Sequence, residues 1–290
     1  MNGSRSVGDG RCLAWSLPGD ATCAKAARRL FTDAACSLRL PEEMVEDGIL
    51  MASELAANTL HARGCGGGGQ PDIRSAGRGR GEIGEGPRPL PARPEMWLYL
   101  RSTDAGRELV CKMFDCGTGW GHDDIPLPRQ GDVEQDGEGG RGLQVVHELS
   151  GGRWGFHLSR SRLGGGRGKV VWFTQPVPQT AVMPQRFPIA AAEAARELQA
   201  ALDARGFAGK LVRADDPAGD MSVVSVSEGL AVWCRAGVAW LREPGQEGLR
   251  WSFGDLVEVA EQAVRAYEEL GHDRPHIYAV LPTIPAQAGR

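Results

Sequence analysis

A proline-rich stretch at residues 176–188 separates two segments of the sequence that each have their own pattern of helices and strands. Prolines fix the backbone and lack an amide hydrogen, so such a stretch favours an extended linker over a helix or a central strand. A chain of 290 residues is long enough for two domains of about 100–200 residues each. We therefore predict a first domain at residues 1–178, a linker at 179–188 and a second domain at 189–280.

The overall charge and the cysteine spacing exclude several classes of function. The net charge is −4, so the molecule as a whole offers no basic footprint for direct nucleic-acid binding. The seven cysteines form no C-x-x-C pair, so we expect neither a zinc site nor a disulfide framework. No charged-then-apolar signal segment opens the chain, and no apolar run reaches the about 20 residues that span a bilayer. We expect a cytoplasmic protein with reduced thiols and no membrane association.

The first domain is predicted to be α+β. A helix over about residues 21–38, with Asp20 as its N-cap, carries apolar residues at helical spacing. A second helix begins at Pro41, because proline suits the first helical turn, and runs to about residue 62. The remaining predicted elements are strands at 11–17, 96–101, 108–114, 155–159 and 169–174, and a helix at 141–149.

Two segments of this domain are predicted to be loops. Residues 64–94 are mostly glycine, proline and arginine, so little in them can pack, and we interpret them as a flexible insertion. Residues 120–138 are polar and strongly acidic. Their carboxylates are Asp123, Asp124, Asp132, Glu134, Asp136 and Glu138.

The second domain is also predicted to mix helices and short strands. A helix over 190–204 stops at Gly206, and a final helix starts near Ser252 and ends at Gly271. The strands between them are predicted at 210–213, 221–227, 230–235 and 238–241. Trp233 and Trp240 each lie within a predicted strand, at positions that favour a place in the core over a binding face. We interpret this domain as an interaction or dimerisation unit, so a homodimer is one expected assembly.

The first segment with chemical meaning is Ser53–His61, on the second predicted helix. Glu54 and Asn58 are four residues apart and therefore share one helix face. A carboxylate and an amide on one stripe can present oxygens to Mg²⁺, which prefers hard oxygen ligands and keeps most of its waters. By itself the pair is more typical of a solvated polar stripe on a surface helix.

The second segment is Asp115-Cys116-Gly117-Thr118-Gly119, directly after an apolar strand. An aspartate in this place can accept a hydrogen bond from an exocyclic amine such as that of adenine. Gly117 and Gly119 would let the backbone approach a flat ring or a phosphate closely. The alternative interpretation is a tight turn after a strand.

The third segment is Glu138-Gly139-Gly140-Arg141-Gly142-Leu143, which leads into a predicted helix. Free backbone N–H groups and the helix dipole at such a start favour an anion. A flexible loop that simply ends at a helix would have the same local pattern.

The three segments together, in this order, resemble the GHKL ATPase family and within it the anti-sigma-factor serine kinases. The resemblance covers about residues 10–175 and also includes the ending Gly168–Phe173. It implies a two-layer α/β sandwich, the Bergerat ATP-binding fold, for this part of the chain, and the small C-terminal α+β domain predicted above follows it. A fragment of a sensor histidine kinase fits less well, because the first histidine of the chain, His61, lies inside the nucleotide motif itself.

The resemblance also implies a role for individual residues, with ATP and Mg²⁺ as the cofactors. Asn58 would be the Mg²⁺ ligand, and Glu54 the catalytic residue that orients or deprotonates the attacking hydroxyl. Asp115 would recognise adenine by accepting a hydrogen bond from its exocyclic amine. The other nucleotide-binding positions implied are Gly117 and Gly119 under the nucleotide, Gly140, Arg141 and Gly142 at the phosphates, and Lys169, where a threonine is commoner.

The expected function is that of an ATP-binding regulator that phosphorylates a serine of a protein antagonist, sequesters a sigma factor, or does both. The alternative is a non-catalytic regulator that uses nucleotide only as a conformational ligand. Two departures from the family motivate this alternative: the insertion at 64–94, and the carboxylates of 120–138, which repel phosphates unless they point away or meet a basic partner.

Overall fold

The computed structural model describes residues 12–64, 93–116, 141–181, 188, 190–243 and 248–271. These residues divide into two compact units by their contacts. Unit 1 comprises the described residues of Met1–His157 and Gly166–Met183, and unit 2 those of Leu158–Gly165 and Pro184–Arg290.

The first sheet has five antiparallel strands in the order β1-β2-β3-β5-β4. Its strands are β1 (Cys12–Ser16), β2 (Glu95–Thr103), β3 (Gly106–Asp115), β4 (Trp154–Arg160) and β5 (Arg167–Val177). The central strand β3 pairs with β2 through a short hairpin and with β5 over its whole length.

Three helices accompany this sheet: α1 (Cys23–Ser37), α2 (Glu42–Gly64) and α3 (Arg141–Leu149). Their apolar stripes and one face of the sheet form a single core, to which Phe31, Leu55, Val146, Met113 and Phe173 contribute. All five side chains are essentially inaccessible to water, which is the main stabilising contribution in such a layered arrangement. The polar residues of α2 that do not face this core are therefore available for another role.

The start of α1 differs from the prediction. The N-cap is Thr22, and Asp20 lies two residues before it. The Asp20 carboxylate accepts hydrogen bonds from the Thr22 backbone N–H, at 2.9 Å, and from the Thr22 hydroxyl. Because of these bonds the pKa of Asp20 is lowered from its ordinary value. Asp20 thus supports the turn that precedes the helix.

Unit 2 contains a second five-stranded antiparallel sheet, in the order β10-β9-β8-β7-β6. Its strands are β6 (Val212–Asp215), β7 (Met221–Ser227), β8 (Leu230–Arg235), β9 (Val238–Arg242) and β10 (Leu249–Ser252). The helices α4 (Ala191–Leu202) and α5 (Leu256–Glu269) pack on one face of this meander. A π-helical turn, Asp203–Phe207, follows α4 and contains Gly206 with φ 84°.

The fold class of the prediction is confirmed at the level of an α+β protein, and the structure shows that both sheets are antiparallel. Five α-helices are present in the described ranges. Strand β10 was not predicted, since its four residues are bounded by a short stretch without a recognisable pattern. Most of the predicted insertion, at 65–92, and the acidic segment 120–138 lie outside the described residues. Within the described ranges, no helix is long and apolar enough to cross a membrane.

The expectation that Trp233 and Trp240 are core residues is wrong. The core of unit 2 takes Val232 and Cys234 from β8, and Ala239 and Leu241 from β9. The tryptophans alternate with these residues and therefore lie on the opposite face of the sheet, where they are only partly buried. A period of two shows that two faces differ, but not which face is covered.

Candidate functional site

Helix α2 presents Glu54 and Asn58 side by side on one flank. Leu55 and Ala56 of the same turn are fully buried in the core of unit 1, which fixes the rotation of the helix about its axis. Glu54 and Asn58 are consequently only partly buried, one turn apart. The helix therefore holds a carboxylate and an amide at the margin of the core rather than on a freely solvated surface.

The beginning of α3 meets this pair. A methyl group added at Gly142 would lie 2.7 Å from Glu54 Oε2, and 3.6 Å from both Nδ2 and Oδ1 of Asn58. No side chain fits between α3 and the two polar groups unless Glu54 moves. Glycine at 142 thus makes a small cradle in which the backbone of one helix start faces the carboxylate and the amide of another helix.

Helix α3 is held in this position by its apolar side. Leu143 and Val146 are buried in the core of unit 1, three residues apart on one face. The N–H groups of the first helical turn have no intrahelical acceptor, and the helix dipole is positive at this end. The cradle therefore places amide donors that lack an intrahelical acceptor beside the oxygens of Glu54 and Asn58, a combination complementary to an anion accompanied by a cation.

Asp115 and Lys169 form a second polar pair at the edge of the same sheet. They are register partners on β3 and β5, and Lys169 Nζ lies 3.7 Å from Asp115 Oδ2. Both side chains are buried, so the two charges are brought together away from bulk water. They continue the rows of Met113 and Val171 and hence lie on the face of the sheet that packs against the helices.

Gly168 allows β5 to lie close to the end of β3. A Cβ at this position would lie 2.2 Å from the carbonyl oxygen of Asp115 and 2.7 Å from the ring of Phe114. No local sequence pattern marks Gly168 for this role, although it is the first residue of the Gly168–Phe173 ending. The close approach positions Asp115 and Lys169 relative to each other.

Several predicted site residues cannot be placed. Gly117, Gly119 and Gly140 lie outside the described residues, and so does the side chain of Arg141, whose backbone begins α3. Of the predicted set, the structure brings Glu54, Asn58 and Gly142 together, and it separately pairs Asp115 with Lys169.

The described residues fit a nucleotide with its divalent cation. Asn58 Oδ1 and the Glu54 carboxylate are hard oxygen donors of the kind that Mg²⁺ takes one or two of, with water supplying the rest. The start of α3 provides backbone donors suited to phosphate, and the absence of a Cβ at Gly142 lets this helix start lie close to Glu54 and Asn58. An aspartate suited to a base amine, Asp115, ends a strand of the same unit.

Comparison with known proteins adds no further constraint. No protein-family model, no curated protein and no solved structure matches this chain.

Proposed function

We propose that unit 1 binds ATP with Mg²⁺ in a Bergerat-type fold and acts as a cytoplasmic regulator resembling the anti-sigma-factor serine kinases. The observation that carries the proposal is the cradle formed by Gly142 against Glu54 and Asn58. Gly142 is at least 84 positions from Glu54 and Asn58 in the sequence, yet it lies next to both. All three residues come from segments on which the family resemblance depends.

Each described residue of the site has a role that follows from its chemistry. Asn58 offers its amide oxygen to the cation, and the N–H groups at the start of α3 bind phosphate oxygens. Asp115 accepts a hydrogen bond from the exocyclic amine of adenine, and Lys169 balances its charge from 3.7 Å away. When bound, ATP supplies the phosphoryl group, and Mg²⁺ neutralises part of its charge.

Glu54 is the residue proposed for proton transfer. Its carboxylate accepts the proton of a serine hydroxyl as the serine oxygen attacks the terminal phosphate. This proton transfer is the general-base step that the protein itself contributes. Gly142 leaves the Glu54 carboxylate in place, since any larger residue would displace it. The serine would belong to a protein antagonist, and a sigma factor would be the second partner. The bound nucleotide would then determine whether the protein phosphorylates the antagonist or sequesters the sigma factor.

The binding part of the proposal is tested by titration calorimetry of ATP, ADP and GTP with and without Mg²⁺. We expect ATP and ADP to bind and GTP to bind at least about tenfold more weakly, because a hydrogen-bonding site rejects the wrong base. Asn58→Ala should remove the Mg²⁺-dependent part of the affinity. Asp104→Asn in the exposed β2–β3 turn is the control for Asp115→Asn, which should weaken adenine binding. Absence of any nucleotide binding to the native protein would refute the proposal.

The transfer part is tested with Glu54→Gln, which keeps the shape of the side chain and loses the base. We expect ATP affinity within about threefold of the native protein and a loss of label transfer from γ-labelled ATP to the antagonist of about 10²–10⁴-fold. Glu46→Gln, at an exposed position of the same helix, is the matched control. If ATP binds but Glu54→Gln transfers label as well as the native protein, Glu54 has no catalytic role. If the native protein transfers none, the regulator is non-catalytic.

A further inference from the structure

The outer face of the unit 2 sheet, opposite α4 and α5, has a composition unlike that of any other described surface of that unit. Trp233 of β8 and Trp240 of β9 are directly paired across the strands, so their side chains project from adjacent positions on this face. They form the middle of an open cavity of about 430 Å³. The cavity is lined by Met221, Trp233, Arg235, Trp240, Arg242, Gly248 and Arg250.

Every charged residue of strands β7 to β10 is an arginine on this face. Arg235 ends β8, Arg242 ends β9 and Arg250 lies in β10 opposite Trp240. All three are exposed, and no carboxylate among the described residues forms an ion pair with them. The guanidinium groups are therefore not neutralised by this part of the chain.

The arginines are spread along the tryptophan pair rather than directed at one point. Arg235 pairs with Val238, and Arg242 lies four residues further along β9. At a rise of about 3.3 Å per residue, the two arginine positions are about 13 Å apart, with the tryptophans between them. A single small anion would need convergent groups, whereas a chain with repeated negative charges can contact cations at both ends of an aromatic platform.

The ligand that combines flat rings with regularly spaced anionic groups is a nucleic-acid strand. Unpaired bases stack on tryptophan regardless of their identity, and arginine binds phosphate through two parallel N–H groups. An acidic peptide would satisfy the arginines but would leave the paired indoles without a planar partner. A duplex would keep its bases stacked on each other and away from the indoles.

The net charge of −4 does not oppose this interpretation. At physiological salt, charges further apart than about 8 Å are largely screened from each other. The residues that line the cavity include three arginines and no carboxylate, so the local charge that a bound strand meets there is positive.

We propose that the outer sheet face of unit 2 binds single-stranded nucleic acid, with bases stacked on Trp233 and Trp240 and phosphates bound by Arg235, Arg242 and Arg250. This activity is separate from nucleotide binding by unit 1 and does not depend on it.

The proposal is tested by fluorescence anisotropy of the full-length protein with labelled 12-nucleotide strands of oligo(dT) and oligo(U). We expect micromolar affinity at low salt, and affinity that falls with salt with a logarithmic slope no steeper than about −2, as three phosphate contacts allow. A 12-base-pair duplex should bind at least about fivefold more weakly. Trp240→Ala should weaken strand binding at least about fivefold, since each stacked base contributes that much or more.

Arginine variants distinguish a loss of strand binding from a loss of folded protein. Arg242→Gln and Arg250→Gln change exposed side chains, so the thermal midpoint should remain unchanged while the salt slope falls by about 0.7 for each. Arg265→Gln on α5, 44% exposed, is the charge control, and Trp251→Phe, packed toward the core side of β10, is the aromatic control. Neither should alter strand binding.

Three results would overturn the proposal. The first is no change in anisotropy with either strand at low salt. The second is strand binding that the Trp240 and Arg242 variants leave unaltered, which would locate it elsewhere. The third is displacement of the strand by an oligoglutamate peptide at equal charge concentration, which would show that an acidic protein surface is the ligand instead.

Discussion

Both units of this protein pair a five-stranded antiparallel sheet with helices on one face, yet they place their polar groups differently. In unit 1, the polar residues of interest lie on the covered side of the sheet, at the margin of the core. Glu54 and Asn58 face the start of α3, and Asp115 pairs with Lys169 at the strand ends. In unit 2, the notable surface is the uncovered side of the sheet, with its two tryptophans and three exposed arginines.

Unit 2 also buries charge, but for a different purpose. Glu261 on α5 is completely buried and accepts hydrogen bonds from Arg205, itself 1% exposed, and from Arg162 at 3.1 Å. This cluster leaves no oxygen directed at solvent, whereas Glu54 in unit 1 is partly accessible. A charge that is fully enclosed by partners stabilises one arrangement of the chain, and a charge at the margin of a core remains available to a ligand.

The largest expected effect concerns the enclosed cluster. Glu261→Ala leaves Arg205 buried without its partner, and we expect the free energy of unfolding of unit 2 to fall by about 3–5 kcal/mol. Glu269→Ala on the same helix removes a salt bridge to Arg265 that is about half exposed, and should cost no more than about 1 kcal/mol. Denaturant titration followed by the reactivity of Cys234, a core residue of unit 2, measures both. Equal losses for the two variants would contradict the distinction between enclosed and exposed pairs.

A smaller effect is expected when ATP is added, because the nucleotide should stabilise unit 1 and leave the stability of unit 2 unchanged. Burial raises the pKa of Cys234 to about 12 and raises the pKa of Cys111 in the core of unit 1 even further, so both stay protonated at pH 8. Alkylation of either thiol therefore requires opening of its unit. If unit 1 binds ATP, a hundredfold excess over Kd with Mg²⁺ should slow Cys111 alkylation about a hundredfold, equivalent to about 2.7 kcal/mol.

The same experiment contains its own control, because Cys234 should react at an unchanged rate when ATP is added. Peptide mapping by mass spectrometry distinguishes the two sites, with exposed Cys36 as the fast reference. Equal protection of Cys111 and Cys234 would mean that the two units do not respond separately to the nucleotide.

The smallest effect distinguishes two glycines of unit 1. Gly168→Ala places a methyl group 2.2 Å from a backbone oxygen, so β5 must shift, and we expect a loss of about 1–3 kcal/mol of stability. Gly142→Ala meets only the flexible end of Glu54, so its loss of stability should be below about 1 kcal/mol. Its effect should appear instead in label transfer from ATP, because the Glu54 carboxylate is displaced. Calorimetric unfolding and the transfer assay are the two measurements. A destabilisation by Gly142→Ala as large as that by Gly168→Ala would show that the cradle is structural only.

The predicted elements agree with the structure where the signal is local and strong. The helix predicted from Pro41 to about residue 62 is α2, Glu42–Gly64, and the helix predicted at 141–149 is α3. Pro41 marks the start of α2, and α3 carries Leu143 and Val146 three residues apart on its buried face. The N-cap of α1 was misplaced because a helix end is decided by one or two residues, and strand β10 was missed because its four residues lie in a stretch without a recognisable strand pattern.

The site was predictable only in part, for a related reason. Glu54 and Asn58 share a helix face by their spacing, which the sequence shows directly. Their contact with Gly142 depends on how α3 packs on α2, and the Asp115–Lys169 pair depends on the register between β3 and β5. Neither packing nor register between distant strands can be read from periodicity.

Local patterns in the sequence predict most of the helices and strands and their order, because helical and strand periodicity and turn chemistry act between near neighbours. Which side of each sheet is covered, and therefore that Trp233 and Trp240 lie outside the core, follows from the packing of distant segments. That packing also decides that Gly142 meets Glu54 rather than solvent. These outcomes depend on contacts between residues far apart in the chain, whose energy comes from the surface that the whole fold removes from water.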